Sequence, residues 1–151
     1  QNPSFHQIAK LLYFADKLHL MRYGRLILGD RYVAMKYGPV PSFVYDMLKA
    51  ARNASSAGTR ESQPAFTVHS DGRTVLPLRS ADLDWISDSE RECLDEVIRR
   101  YGSRSFQALT DLSHDEAWRQ TQENCFIALE QIVATLPDSE SLLNHLLDPN
   151  P

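Results

Sequence analysis

The apolar and polar positions of the chain fall into helical runs with a short strand-rich interval between them. Phe5, Ile8, Ala9, Leu11, Leu12, Phe14, Ala15 and Leu18 cover most of a helix's circumference at about 100° per residue, and His6, Lys10, Tyr13 and Lys17 fill a narrow polar sector. A helix apolar over most of its surface is wrapped by other elements, so this one is predicted to be central. Ser4 followed by Gln7 is a capping-box start, and Gly24 is the expected stop. Tyr32 to Tyr37 then reads as a short strand. It leads into Lys36-Tyr37-Gly38-Pro39-Val40-Pro41, where proline fixes φ and glycine reaches angles other residues avoid. That composition predicts a stiff corner turning the strand into a second helix, with Pro41 in its first turn. The helix runs from about Ser42 to Arg52 on an apolar stripe of Phe43, Val44, Met47 and Leu48, with Tyr45 beside it.

Asn53 to Gln63 has no periodicity and is rich in Ser, Ala and Gly, the pattern of a mobile loop. Ala65 to Leu78 reads as a hairpin around Asp71-Gly72. Two strands alone are marginal, so one arrangement joins this hairpin to the strand at Tyr32–Tyr37 as a three-stranded sheet. The remainder is helical. A second capping box, Ser87 with Glu90, starts a helix that ends at Tyr101 and Gly102, and Ser105 caps a short helix with Phe106, Leu109 and Leu112. His114 to Gln122 is a further segment containing Trp118. Phe126 to Leu136 ends at Pro137, and Asp138 or Ser139 starts a last helix before a frayed tail at Asp148 to Pro151. The fold class is mainly α (α+β): a single helical domain spanning 1–151, with a central N-terminal helix, a small antiparallel hairpin sheet and a helical C-terminal extension over 123–151.

A chain of 151 residues suits one domain with a real core. No apolar run approaches the roughly 20 residues of a membrane helix, and no N-terminal segment has the basic-then-apolar pattern of a signal peptide. The chain opens on Gln1 rather than Met, as expected where a few residues precede it. Cys93 and Cys125 match no metal or redox spacing and read as two buried free thiols of a cytoplasmic protein. Net charge is −4 but uneven: residues 1–60 hold nine Lys/Arg against three acids, and the rest seven against seventeen. Either the two halves pack together and neutralise one another, or the basic half faces a polar partner.

Little in the sequence points to catalysis. It has no Gly-rich phosphate loop, nucleophile elbow, His-Glu-x-x-His or Cys-x-x-Cys. Asp16 falls inside the apolar arc of the first helix, where a carboxylate needs donors or a countercharge. It is read as a core tie to neighbouring backbone or to a Lys, Arg, Tyr or Trp donor. In Ser113-His114-Asp115-Glu116, consecutive helical residues would point to different faces. Ser113 is read as an N-cap, Asp115 and Glu116 as acids favourable to the first-turn dipole, and His114 as a neighbour of Trp118. The five histidines are scattered, so neither a metal nor a cofactor is expected. Arg22, Arg25, Arg31 and Lys36 stand amid Tyr23, Tyr32 and Tyr37, a mixture that can hold nucleic acid. An acidic chain without a dense basic helix face argues against it. Tyr and Arg are common interface anchors. Tyr13, on the polar stripe, is either a surface tyrosine or part of a contact.

Three segments taken in order resemble a known family. Lys10-Leu11-Leu12-Tyr13-Phe14-Ala15-Asp16, then Tyr32 through Pro41 with Tyr45, then Leu112-Ser113-His114 with Trp118 are similar to the Panacea domain of SocA-like antitoxins, from the first helix to about Gln122. The resemblance implies an antitoxin of a bacterial or phage toxin–antitoxin pair, without enzymatic activity or catalytic residues. Such a protein neutralises a cognate toxin by direct contact, in one family mechanism by handing it to the ClpXP protease. A homodimer is compatible with it. Tyr13, Lys36, Tyr37, Gly38, Pro39 and Val40 are the expected contact surface. Asp16, Tyr45, Ser113, His114 and Trp118 are the expected structural positions. Two competing readings are a DNA-binding autorepressor and an enzyme acting through Asp16 or His114, which requires a concave pocket where both converge with a third polar group.

Overall fold

A computed structural model of the chain describes residues 1–54 and 64–148. The expected loop at 53–63 lies outside the described residues except at Asn53 and Ala54, which end the second helix, and the tail beyond Asp148 is outside them too. Helix α1, Phe5–Tyr23, starts where the Ser4 side chain accepts from Gln7 N–H and stops at Gly24, whose φ of 72° closes it with an N–H to Leu20 C=O. The capping box is half formed, because the Gln7 amide donates instead to Gly102 C=O at 2.5 Å. Helix α3, Asp88–Tyr101, has the full Ser87/Glu90 box and lies along α1. Arg22 pairs with Glu92 and Glu96, and Arg25 with Glu90. Much of the charge asymmetry is thus met across this one helix pair.

The polar sector of α1 is not a solvent face. Lys10 and Tyr13 are 1% and 0% exposed. The sector is covered because each polar group in it finds a partner on an element packed against it. Helix α4, Phe106–Ser113, offers Thr110 Oγ1 to the His6 ring at 3.0 Å. The short helix α5, Glu116–Arg119, is capped by Asp115, whose Oδ2 accepts from Tyr13 Oη at 2.6 Å and Lys17 Nζ at 2.9 Å.

The corner is a hairpin rather than a bend. Strand β1, Tyr32–Met35, pairs antiparallel with β2, Gly38–Pro41, in the register Val33 opposite Val40 and Met35 opposite Gly38. Lys36 and Tyr37 form the turn. Pro39 and Pro41, two apart, turn their N–H-less nitrogens to the outer edge of β2, where no further strand can pair. The other edge of β1 is also taken: Ala34 N–H donates to Cys125 C=O, Asn124 N–H to Ala34 C=O, and Ile127 N–H to Tyr32 C=O. The three-stranded sheet therefore does not form. Strands β3, Phe66–Val68, and β4, Val75–Pro77, make a second two-stranded sheet tied to the N-terminus through Phe5 N–H to Arg73 C=O and Val75 N–H to Pro3 C=O.

Helix α2, Ser42–Asn53, starts after Pro41, so the proline precedes its first turn. Its first N–H groups are satisfied from a distance: Asp30 accepts from Phe43 N–H and Val44 N–H, both at 3.1 Å. Ser113 ends α4 and donates to Thr110 C=O instead of capping a helix, because the chain bends at His114 and Asp115 takes the cap. Helix α6, Leu129–Ala134, is shorter than its apolar run, since Phe126 bridges to Val33 and Ile127 N–H donates to Tyr32 C=O alongside β1. Helix α7, Ser139–Leu147, follows Asp138 at φ 56°. Ile127, Ile132 and Val133 join Tyr13, Leu20, Tyr32, Ala34 and Ala117 in the core. Cys93 is buried, but Cys125 is exposed: it lies in the segment whose backbone, not its side chain, serves β1.

Candidate functional site

The residues singled out at the hairpin separate into two groups. Gly38 has φ +111°, a region that L side chains avoid, and a Cβ there would stand 2.3 Å from Ser113 Oγ and 2.9 Å from Lys10 Cε. Pro39 is buried, and its carbonyl accepts from Lys10 Nζ at 2.8 Å. Trp118 Nε1 donates to Met35 C=O at 2.8 Å, and the His114 ring stacks on Trp118 at 3.6 Å and 4°. Gly38, Pro39, Ser113, His114 and Trp118 thus form one internal seam fastening the hairpin to α4 and α5. Tyr13, expected as a contact, is sealed beneath Asp115 and Tyr32. Tyr13 and Pro39 are buried away from solvent and leave the contact surface, while the Gly38 backbone lines a groove beside the hairpin.

Asp16 is a core tie, as its position in the apolar arc requires. Its Oδ1 accepts from Ile27 N–H at 2.7 Å and Leu28 N–H at 3.2 Å, and its Oδ2 from Tyr32 Oη at 2.5 Å. Burial raises its pKa, while those three donors pull the other way. Burial, with the Asp16 charge, drives the Tyr32 phenol well above its ordinary value.

The second group stays at the surface. Lys36 and Tyr37 are exposed, and Val40 and Tyr45 are half-buried. They line a groove of about 720 Å³ between the start of α1, the β1–β2 turn, α2, the β3–β4 turn and the start of α4. Its rim is a chain of rings: Tyr37 meets Phe106 edge-on at 5.3 Å, and Phe106 stacks on His6 at 3.8 Å. Lys10, Lys36, Arg52 and Arg73 line the groove and no carboxylate does, among the described residues. Asp71, in the β3–β4 turn, spends its oxygens on Arg73 N–H, Thr74 N–H and Thr74 Oγ1. Burial holds the Lys10 ammonium down to about 7; burial and then the Lys10 charge hold the His6 imidazole down to about 4. Arg52 and Arg73 are separated from the hairpin in sequence. Only the β3–β4 anchorage to residues 3–5 brings Arg73 here, and no local pattern signals that.

The groove is lined by neither Asp16 nor His114. Among the described residues no group of His, Cys, Asp and Glu is placed to hold a metal ion, and no helix is long and apolar enough to cross a membrane.

A mainly helical domain with an aromatic, cationic groove beside a rigid hairpin is built like a binding module. The chain belongs to the antitoxin SocA-like, Panacea domain family, whose model matches residues 8–119. That span contains the whole hairpin seam and every groove residue except Ser4, Phe5 and His6. No curated protein and no solved structure matches the chain.

Proposed function

We propose that this antitoxin neutralises its toxin by direct protein contact, through the exposed side of the β1–β2 hairpin and the groove beneath it, without catalysing a reaction. Membership of the family over residues 8–119 carries the reading. Tyr37 and Lys36, exposed on a turn held by the seam behind it, support the location. A tyrosine on a held turn loses little entropy on binding and is a common anchor. Handing the toxin to ClpXP is the finer form of this function. In the test, the product of the neighbouring open reading frame is expressed with and without this chain. Growth rescue and co-purification are the expected result. Tyr37→Ala and Val40→Ala should weaken rescue with the melting temperature little changed; full rescue by both removes the hairpin from the contact. Toxin half-life in cells with and without ClpXP decides the delivery step.

A further inference from the structure

Resting on that reading, we propose that the groove takes an acidic segment of the partner protein, carboxylates on Arg52, Arg73 and Lys36 and an aromatic or aliphatic side chain against Phe106 and Tyr37.

Charge is the first argument. Three exposed cations from three separate elements converge on one concavity, and among the described residues no carboxylate lines it. Elsewhere in the described N-terminal half Lys17 is paired with Asp115, Arg22 with Glu92 and Glu96, Arg25 with Glu90 and Lys49 with Asp46, while Arg31 lies over the Phe126 ring. Most of these pairs join one element to another, whereas Lys36, Arg52 and Arg73 have no ion pair among the described residues and share one concavity. Arg52 lies over the Phe5 ring at 5.9 Å, and its Cδ stands 3.5 Å from where a Cβ on Gly72 would be. Packed in this way, its guanidinium is already placed for a forked contact to a carboxylate.

The second argument is Lys10. Its ammonium lies under the groove floor, 1% exposed, with Pro39 C=O as its hydrogen-bond acceptor and no ion pair among the described residues. An anion brought nearby favours the charged form of this buried amine, which has no countercharge among the described residues, because the low dielectric weakens the field little. Lys10 acts through that field rather than by touching the partner.

Size and surroundings favour a protein segment over nucleic acid. About 720 Å³ accepts a few side chains. A nucleic-acid strand needs a longer basic track, and the acidic residues of α3 lie on the same small domain. Arg clusters recognise acidic motifs in the same manner.

The probe is a fluorescein-labelled, acetylated and amidated pentapeptide, Asp-Glu-Tyr-Asp-Glu, titrated with the full chain at 50 mM salt. A ten-nucleotide oligothymidine and the Asn/Gln version of the peptide are titrated alongside. The acidic peptide should bind at least tenfold more tightly than either control. Arg52→Glu with Arg73→Glu should lose at least tenfold, with an unchanged circular-dichroism melt because both side chains are exposed. Oligothymidine binding as tight as the peptide, or peptide binding unaffected by the double substitution, overturns the proposal. Rescue separates this from the parent reading. If the native chain rescues and the double variant rescues equally, the groove assignment fails and the antitoxin reading stands. If the native chain neither rescues nor co-purifies with its neighbour's product, the antitoxin reading itself fails.

Discussion

Helix α1 carries two buried ions six residues apart, and the protein treats them in opposite ways. Asp16 is enclosed by three donors, two from backbone and one from Tyr32. Lys10 has Pro39 C=O and, next to it, a groove lined by more cations. The Asp16 charge is consumed by hydrogen bonds that fix the path from Gly24 to β1. The Lys10 charge holds β2 by one bond and otherwise adds to a positive field facing outward. One end of α1 is therefore closed architecture, and the other is architecture that supports a recognition surface.

Removing the closed ion should have the largest effect. Asp16→Ala strands the Tyr32 hydroxyl in the core and leaves the part-buried Ile27 and Leu28 N–H groups without their acceptor. An unsatisfied buried donor costs about 1–3 kcal/mol and a part-buried one less, so with the lost ties a loss of about 3–4 kcal/mol is expected, read as a fall in the urea midpoint. A loss below about 1 kcal/mol would show that the Asp16 network is not the tie described here. Next in size is the seam. Gly38→Ala sets a Cβ 2.3 Å from Ser113 Oγ at φ +111°, and overpacking and backbone strain each cost about 1–3 kcal/mol. Destabilisation of about 2–4 kcal/mol is expected. Gly38→Ala combined with Ser113→Gly should recover part of it, because the clash with Ser113 is relieved while the strain and the contact with Lys10 Cε remain.

The different legibility of the two ends follows from the same contrast. Asp16 could be read from sequence because an acid inside an apolar arc has few options, and the donors it needs lie within the next sixteen residues. Lys10 and Tyr13 were misplaced because a polar stripe on a helix is indistinguishable from a solvent face until its partners are known. Those partners are distant in sequence: Pro39 C=O for Lys10, 29 residues on, and Asp115 for Tyr13, 102 residues on. The hairpin was mistaken for a corner because prolines normally argue against a strand; here they occupy its outer edge. The hairpin turn residues Lys36 and Tyr37 were legible as a surface. Arg52, Arg73 and Phe106 were not, because they reach the groove from three separate elements.

Lys10→Met should have an intermediate and pH-dependent effect. The folded-state pKa of Lys10 is pushed by burial from 10.5 to about 7. Between those values the unfolded chain binds more protons than the folded one, so stability rises as pH increases from about 7 to 10.5. Below about 7 both states are protonated, and the cost of burying the charge is fully present. His6, lowered from 6.5 to about 4 by burial and then by Lys10, adds a rise in stability from about pH 4 to 6.5. Lys10→Met keeps the packing, removes the alkaline rise and is expected to gain about 1–3 kcal/mol at pH 6.5 despite losing the bond to Pro39. Urea midpoints from pH 5 to 10 test this. An alkaline rise that persists in the variant would assign it to another group.

The smallest expected effect on stability carries the most weight for function. Arg52 is exposed at the end of α2, and its contact with Phe5 spans 5.9 Å, worth about 0.5 kcal/mol at such a site. Arg52→Ala should therefore shift stability by no more than about 0.5 kcal/mol. Toxin affinity should nevertheless fall by about tenfold, roughly 1.4 kcal/mol, and the loss should shrink at high salt, where the exposed charge is already screened. That pairing is the inverse of Asp16→Ala, which harms the fold and reaches the partner only through it. If Arg52→Ala cost stability and affinity in equal measure, the groove cation would be another architectural ion, and the division of α1 into a closed end and a recognition end would not hold.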